Sequence, residues 1–235
     1  MTIELFREDA YLRECGATVL AAGTEGIVLD RTVFYPRGGG QPGDAGWLIR
    51  ADGSRLAVTD TRRGESGILH LPEAGVPLPG TGERVTAVLD WERRHRHMRM
   101  HTCLHLLCSL IPAGVTGGAI RDGSGRLDFD LPGQSLDREA LTTALNRIVA
   151  ADHPVTSRWI DAAELDARPE LVRTLSVQPP RGRGRVRLVE VAGVDLQPCG
   201  GTHVARTGEI GPVTVTRVEN KGRNNRRVSV TLDTP

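Results

Sequence analysis

One uninterrupted helical pattern constrains this chain more than any other feature of its sequence. It runs from Trp91 to Leu110 and reads WERRHRHMRMHTCLHLLCSL. Apolar side chains recur along it at roughly helical spacing, and neither glycine nor proline interrupts the run. These side chains are Met98, Leu104, Leu107 and Leu110. The pattern predicts one continuous helix.

Two histidines on this helix, His101 and His105, are one turn apart, so both imidazoles leave the same face and can bind one metal ion. A second pair with the same spacing, Cys199 and His203, occurs far downstream in QPCGGTHV. The two glycines inside that motif argue against a regular helix and favour a tight turn that presents both ligands. Together the two pairs predict one Zn²⁺ per chain, held by a His/His/Cys/His set.

Neighbouring residues leave the role of that metal open. His97 lies one further turn back on the same helical face and is the alternative ligand or an outer contact. Thr102 stands where the zinc peptidase signature needs a glutamate, so that mechanism lacks its general base. Four protein ligands would form a closed structural site, whereas three would leave a position for water or substrate. Ligands from such distant segments favour a site in a cleft over a local structural zinc.

Residues 1–90 predict a small N-terminal β-barrel. Short apolar runs alternate there with Gly, Pro and Asp-Gly turns, a spacing typical of small barrels. The predicted strands are 17–22, 26–29, 47–49, 56–59, 67–71 and 84–89. We place the domain boundary just after Asp90, where the helical pattern begins.

Residues 91–235 predict an α+β domain, with helices packed on a mostly antiparallel sheet. We expect helices over 137–151, with Ser135 as the candidate cap, and over 161–167. An irregular glycine-rich stretch is expected over 112–125. The predicted strands are 126–131, 155–160, 185–191, 213–218 and 227–232.

A glycine-rich segment, TVFYPRGGGQPGDAG, occupies residues 32–46 inside the predicted barrel. Consecutive glycines reach backbone angles closed to other residues and let the main chain approach a ligand closely. This is not a nucleotide P-loop, because Gln41 and Pro42 follow the glycines in place of Gly-Lys-Ser/Thr. On spacing alone, a tight connection between strands is favoured over a binding loop.

Charge and cysteine content narrow the classes of partner and compartment. The net charge is only +1, so the chain as a whole shows no preference for a polyanionic partner. Local basic clusters at 93–99, 181–187 and 221–227 favour contact with nucleic-acid phosphates. The alternative is that these clusters are ordinary charged surfaces in contact with water. Four cysteines are too few for a disulfide scaffold, and Cys15, Cys103 and Cys108 are expected in the core. The N-terminus lacks an apolar signal region, and no apolar run reaches membrane-spanning length. We therefore expect a cytoplasmic protein with no membrane partner.

Three motifs together resemble the editing domain of alanyl-tRNA synthetases. They are HTCLH at 101–105, RLDFD at 126–130 and QPCGGTHVARTGEIG at 197–211. The glycine-rich segment is similar to the motif of the barrel that precedes that domain. With no aminoacylation domain before the barrel, the arrangement resembles the free-standing alanyl-tRNA editing proteins in their medium-length form. Threonyl-tRNA synthetases share the HxxxH and CxxxH elements, but the barrel motif and GGTHV favour the alanine branch.

This resemblance implies hydrolysis of the ester that joins a wrong amino acid, chiefly serine, to the tRNA for alanine. It implies a contact from Thr102 to the serine hydroxyl. Ala119 stands where the family often carries Gln, so the preference between serine, glycine and other amino acids stays open. The implied zinc ligands are His101, His105, Cys199 and His203, and the implied substrate contacts are Gly200, Gly201, Thr202, Gly39, Gly40 and Gln41.

Other functions stay open at this point. Threonyl-tRNA-type editing, a non-catalytic tRNA-binding module with a closed structural zinc, and an unrelated zinc hydrolase of small esters or amides are the alternatives. No motif supplies an obvious general base: a bound hydroxide, a ribose hydroxyl of the tRNA and a nearby histidine remain candidates, and His97 is the protein candidate. The sequence fixes no oligomeric state.

Overall fold

The computed structural model describes residues 2–175 and 184–233. Contacts between residues divide the chain into two compact units, Met1–His95 and Arg96–Pro235. The division falls within the first long helix. Within the described residues, no helix is both long and apolar enough to cross a membrane.

The first unit is built from strands. They are β1 (Ile3–Glu4), β2 (Glu14–Gly23), β3 (Gly26–Leu29), β4 (Arg31–Thr32), β5 (Gly46–Arg50), β6 (Arg55–Gly64), β7 (Gly67–Pro72) and β8 (Arg84–Leu89). Six of them close into a barrel in the order β2-β3-β7-β6-β5-β8, and the short β1 and β4 pair separately in parallel. The predicted barrel is therefore confirmed.

Alternation of side chains explains how these strands close. In β8, the apolar residues Val85, Ala87 and Leu89 point inwards and are buried, while the intervening residues are exposed or half-buried. The other barrel strands contribute buried residues of the same kind to one apolar core. Closure leaves the barrel strands without a free edge, which removes the usual site of strand-to-strand aggregation.

The glycine-rich segment forms a tight turn at the tip of a loop. Gly38 and Gln41 exchange both backbone hydrogen bonds, at 3.1 and 3.0 Å between nitrogen and oxygen. Gly39 and Gly40 between them have φ angles of 57° and 81°, in the left-handed region that favours glycine. Both glycines are exposed, whereas the Gln41 side chain is buried.

A buried ion pair holds the base of that loop. The guanidinium of Arg94, in the first turns of the long helix, is fully buried against the carboxylate of Asp44. It also donates to the Val33 carbonyl at 2.6 Å, and Asp44 accepts a hydrogen bond from the Tyr35 backbone nitrogen at 2.6 Å. Because every charge in this pair is satisfied inside the first unit, Arg94 contributes nothing to a surface for phosphates.

The remaining elements follow in chain order. They are α1 (Trp91–Leu110), β9 (Gly114–Arg121), β10 (Ser124–Asp130), α2 (Arg138–Ala150), β11 (Val155–Asp161), α3 (Ala162–Asp166), β12 (Arg185–Val191), β13 (Asp195–Pro198), β14 (Val213–Asn220) and β15 (Asn225–Leu232). They form a four-stranded sheet, β14-β15-β10-β9, and a three-stranded sheet, β11-β12-β13. Every pairing in these two sheets is antiparallel, so the α+β prediction is confirmed.

Packing on a glycine sets the orientation of α1. A Cβ added at Gly125 of β10 would lie 2.7 Å from the Met100 sulfur and 3.2 Å from a methyl group of Leu104. The missing side chain therefore lets this face of the helix lie directly on the sheet. His101 and His105 each follow one of these packed residues in sequence. Successive residues of a helix are rotated by about 100° about its axis, so the two histidines point to the side of the helix and not into the sheet.

Two local predictions in the second unit were wrong. The stretch 112–125 is not irregular, because β9 occupies most of it and pairs with β10. Its glycines weaken the sequence signal for a strand, yet a Cβ at Gly118 would lie 2.9 Å from a Leu127 methyl group, so tertiary packing favours glycine there. Asp137, not Ser135, caps α2 by accepting hydrogen bonds from two backbone nitrogens.

Candidate metal centre

Four side chains meet inside the second unit. One ligand atom from each of His101, His105, Cys199 and His203 lies within 4.8 Å of all the others. The Cys199 sulfur is 3.5 Å from Nε2 of His101 and 3.3 Å from Nε2 of His203. Tetrahedral zinc bonds of about 2.3 Å to sulfur and 2.0 Å to nitrogen would place such atoms about 3.5 Å apart. The spacing and the donor chemistry therefore fit zinc.

The turn that carries Cys199 is held by a buried arginine. The backbone nitrogen of Cys199 donates to the carbonyl oxygen of Arg187 at 3.0 Å. In return, the Arg187 guanidinium donates to the carbonyl oxygens of Cys199 and Gly201, at 3.2 and 3.0 Å. The Gly201 nitrogen approaches the Cys199 sulfur at 3.4 Å, as expected for an amide that stabilises a thiolate.

Asp195 is a residue of this centre that the sequence analysis missed. Its fully buried carboxylate lies 3.3 Å from Nδ1 of His105 and accepts a hydrogen bond from the Gln197 side chain at 2.7 Å. A carboxylate behind the distal nitrogen of a histidine orients the ring and turns Nε2 towards a metal. The signal was weak because β13, which carries Asp195, is short and was not predicted.

Thr102 is enclosed between two of the candidate ligands on α1 and has no exposed surface. Its hydroxyl donates to the Met98 carbonyl at 3.0 Å and accepts from the Val204 backbone nitrogen at 3.3 Å. The same oxygen lies 3.1 Å from Nδ1 of His203. All three partners of this hydroxyl lie inside the protein, and the contact to a serine hydroxyl that the resemblance implies stays a prediction.

Electrostatics within the cluster favour a thiolate. Burial raises the pKa of the Cys199 thiol, but the neighbouring His101, His203 and His105 outweigh it and hold that pKa well below its usual range. By contrast, Cys103 on the same helix as the histidines has only burial acting on it, which raises its pKa to about 12. The two cysteines therefore differ in chemistry: the field at Cys199 favours the thiolate, the form that binds metals, whereas Cys103 stays a protonated core thiol.

The pKa values of two candidate histidines, His203 and His105, shift in opposite directions. Burial lowers the pKa of His203, and His101 adds to that effect, so the pKa lies well below the ordinary value. Burial also lowers the pKa of His105, but the Cys199 thiolate and the Asp195 carboxylate outweigh it and raise the pKa to about 9. A metal ion that binds here near neutral pH would displace a proton from the cluster.

Two family models match the chain. The one described as the threonyl and alanyl tRNA synthetase second additional domain matches residues 186–229, which contain Cys199 and His203. The one described as tRNA synthetases class II (A) matches residues 6–93, within the barrel unit.

Whole-length relatives decide the family. An alanyl-tRNA editing protein AlaX-M from Methanosarcina mazei is 38% identical over 99% of this chain and 97% of its own length. This chain belongs to the AlaX-M family. It is also 34% identical to an AlaX-L protein of Pyrococcus horikoshii, over 98% of this chain and 58% of that protein. An alanine–tRNA ligase of Pyrococcus abyssi is 35% identical over 93% of this chain and 24% of the ligase.

Other residues predicted for this AlaX-M chain lie apart from the four-residue cluster or stay untested. His97 is buried, with 1% of its surface exposed, and is not among the four clustered ligands. Gly200 is half-buried, and Gly201 and Thr202 are buried in the turn after Cys199. Ala119 on β9 is half-buried and pairs across the sheet with a β10 residue, so its effect on selectivity remains a prediction.

The first basic cluster, 93–99, is largely used inside the protein. Besides the buried Arg94, the side chain of Arg96 forms an ion pair with Asp122, at 2.5 Å between nitrogen and oxygen. Arg99 is buried and donates to a backbone carbonyl at 3.0 Å. Arg94 and Arg99 are therefore used inside the fold of this AlaX-M chain, and Arg96 is held by an ion pair.

The other two clusters are also partly structural. Residues 181–183 lie outside the described part of the chain, and the arginine at 187 holds the Cys199 turn. In the third cluster, Arg227 forms two hydrogen bonds with the Asp128 carboxylate, at 2.7 and 2.8 Å. Lys221 and Arg223 are exposed in the loop between β14 and β15.

Proposed function

We propose that this chain is a trans-acting aminoacyl-tRNA deacylase, which hydrolyses the ester between a wrong amino acid, chiefly serine, and the tRNA for alanine. The observation that carries the proposal is the buried His101, His105, Cys199 and His203 cluster in a chain that aligns over its whole length with alanyl-tRNA editing proteins. Mischarged alanine tRNA is accordingly the proposed partner. The cytoplasm is the proposed location, because Cys199 must stay a reduced thiolate to act as a ligand.

The cofactor that we propose is one Zn²⁺ per chain. Three imidazoles and a thiolate are the donors that zinc prefers, and the field of the cluster already favours the thiolate form of Cys199. When bound, zinc supplies a Lewis acid and can lower the pKa of a water molecule. The protein's contribution is to fix the ligand side chains: Arg187 holds the Cys199 turn, and Asp195 orients His105.

Selectivity for serine follows from the limits of the first selection step. A pocket for alanine cannot strongly reject an analogue that merely adds a hydroxyl, so a second site has to remove the error. The second site gains selectivity if its polar groups bond the serine hydroxyl and stay unpaired when alanine is bound. We propose Gly200, Gly201 and Thr202 as residues that line this site, because they belong to the turn that carries Cys199.

Further substrate contacts are proposed on the barrel unit and on exposed loops. Gly39 and Gly40 form an exposed turn with left-handed backbone angles, which would let a nucleic-acid backbone approach closely, and the neighbouring Gln41 is proposed with them. Lys221 and Arg223 are proposed as phosphate contacts. For the proton acceptor, His97 stays the protein candidate.

Two alternatives are each favoured by a specific observation. Four protein ligands in one cluster are typical of closed structural zinc, which favours a non-catalytic tRNA-binding module. The family model that covers Cys199 and His203 is described for threonyl and alanyl synthetases together, which is compatible with threonyl-tRNA-type editing as well. The whole-length similarity to alanyl-tRNA editing proteins supports the alanine branch over both.

The test compares four substrates and three proteins. The proteins are the native chain, His105→Ala and His153→Ala. Each is given the tRNA for alanine charged with serine, glycine or alanine, and the tRNA for threonine charged with serine. His153 is a matched control, since it is a histidine of the same unit outside the cluster. We expect the native protein to release serine from alanine tRNA much faster than alanine. We expect His105→Ala to lose at least about 10³-fold in rate, because loss of the metal forfeits several kcal/mol, and His153→Ala to keep its activity.

Each contrary result points to one alternative. No cleavage with tRNA binding retained supports the binding module, and faster release from threonine tRNA supports threonyl-type editing. Efficient turnover of small esters without any tRNA supports an unrelated hydrolase. Full activity in His105→Ala would remove the cluster from the reaction.

A further inference from the structure

The hydrogen bonds of Thr102 fix the direction of its contact with His203. A hydroxyl has one hydrogen to donate and can accept through its lone pairs. The carbonyl of Met98 can only accept, so the Thr102 hydrogen points to it across 3.0 Å. The backbone N–H of Val204 can only donate, so the Thr102 oxygen accepts it at 3.3 Å. Because the hydroxyl hydrogen is donated to Met98, the Thr102 oxygen must also be the acceptor in its contact with Nδ1 of His203 at 3.1 Å.

This direction determines which nitrogen of His203 is available. A neutral imidazole carries its hydrogen on one nitrogen and a lone pair on the other. If Nδ1 carries the hydrogen towards Thr102, the lone pair is on Nε2. That nitrogen lies 3.3 Å from the Cys199 sulfur and faces the cluster.

We propose that Thr102 is a positioning residue that holds His203 in the tautomer whose Nε2 faces the metal, and that it is not a contact to the amino acid of the substrate. Helix α1 thereby supplies two ligands directly and orients a third through the residue between them. The inference rests on the proposed metal centre. Full burial of Thr102 supports it, because a residue without exposed surface is closed to a substrate unless the site rearranges.

Substitutions at Thr102 separate the two roles. Thr102→Val keeps the shape and removes the hydroxyl, Thr102→Ala removes it without added bulk, and Thr102→Ser restores it. Thr207→Val is the matched control, because Thr207 is a fully buried threonine of the same unit whose hydroxyl bonds only backbone groups. Zinc affinity is measured by competition with a chromophoric chelator, and the geometry of the site by the visible absorption of the Co²⁺-loaded protein.

The expected result is a loss of metal affinity that follows the hydroxyl. We expect Thr102→Val and Thr102→Ala to bind zinc about 10- to 100-fold more weakly, as is typical when a partner behind a ligand histidine is removed. Their Co²⁺ spectra should change, while Thr102→Ser and Thr207→Val should match the native protein. The ratio of serine to alanine release should stay native in all variants that are fully loaded with zinc.

Two results would overturn the inference. One is native zinc affinity in Thr102→Val together with a lost preference for serine over alanine, which would make Thr102 a substrate contact. The other is a serine variant as weak as the valine variant, which would assign the effect to packing of the methyl group. If the native protein releases no serine while zinc affinity still follows the hydroxyl, the proposed function fails and the positioning role stands.

Discussion

Each unit buries a histidine against a threonine, and the two pairs use their hydrogen bonds in opposite directions. In the barrel unit, Nδ1 of His70 contacts the Ile27 carbonyl at 3.0 Å, to which it can only donate. Nε2 of His70 then accepts from the Thr32 hydroxyl at 2.8 Å, whose oxygen already accepts from the Phe34 nitrogen. Both ring nitrogens are used inside the core.

In the second unit, the threonine is the acceptor. Thr102 takes the Nδ1 hydrogen of His203, and Nε2 is left to face Cys199. Burial lowers the pKa of both His70 and His203, so neither burial nor pKa distinguishes them. The difference lies in the second ring nitrogen: both nitrogens of His70 bond groups of the barrel core, whereas Nε2 of His203, the proposed ligand, faces the cluster.

The largest effect is expected from removing the ligand histidine. His203→Ala should lower the rate of serine release from alanine tRNA by at least about 10³-fold, because the proposed zinc site loses one of its donors. Bound zinc, measured by elemental analysis after dialysis, should fall well below one per chain. Native zinc content in this variant would contradict the assignment of His203.

Removing the structural histidine, His70, should lower stability and leave zinc binding and activity unchanged. His70→Leu leaves the buried Thr32 hydroxyl hydrogen without an acceptor and removes the imidazole donor from the Ile27 carbonyl, which should cost roughly 3 kcal/mol of stability. Chemical denaturation, followed where the barrel unit unfolds, measures the loss. Zinc content and deacylation should stay native at denaturant concentrations below those that unfold the barrel unit. A loss of zinc in this variant would contradict the assignment of His70 as a purely structural histidine.

Acid should destabilise the barrel unit through His70. Burial holds the pKa of His70 at about 4, against about 6.5 for an exposed histidine, so between these values the unfolded chain binds a proton that the folded protein refuses. Stability from this group is complete above pH 6.5 and falls as the pH drops towards 4, by about 3 kcal/mol in total. The stability difference between native protein and His70→Leu should therefore shrink on acidification, and a constant difference would contradict this account.

The smallest effect is expected from the barrel threonine. Thr32→Val removes one hydrogen bond to His70 and one from Phe34, and should cost about 1–2 kcal/mol. Unlike Thr102→Val, it should leave zinc affinity unchanged. The same substitution in two similar pairs thus separates a stability role from a metal-positioning role, and weaker zinc binding in Thr32→Val would remove that separation.

Much of the fold follows from periodicity alone. The predicted helix has the bounds Trp91–Leu110 in the structure, because its apolar spacing is long and unbroken. The six barrel strands were found because turn residues separate them. β9 was missed because glycines carry no strand signal, and their role becomes visible only against residues of the neighbouring strand.

The candidate site was predictable as a set of residue types and not as a hydrogen-bond network. Spacing brings His101 and His105 to one helical face, but it also includes His97, which the cluster leaves out. Asp195 reaches His105 through strand register, which the sequence does not reveal. Thr102 shows the same limit: its position beside a ligand is evident from the sequence, but the direction of its hydroxyl is not.

The most direct test is a zinc titration of the metal-free protein, with serine release from alanine tRNA and bound zinc measured on the same samples. We predict no release without metal, a linear rise as zinc is added, and a plateau at one zinc per chain. Full release by the metal-free protein would contradict the account, and so would stoichiometric zinc binding that restores no activity.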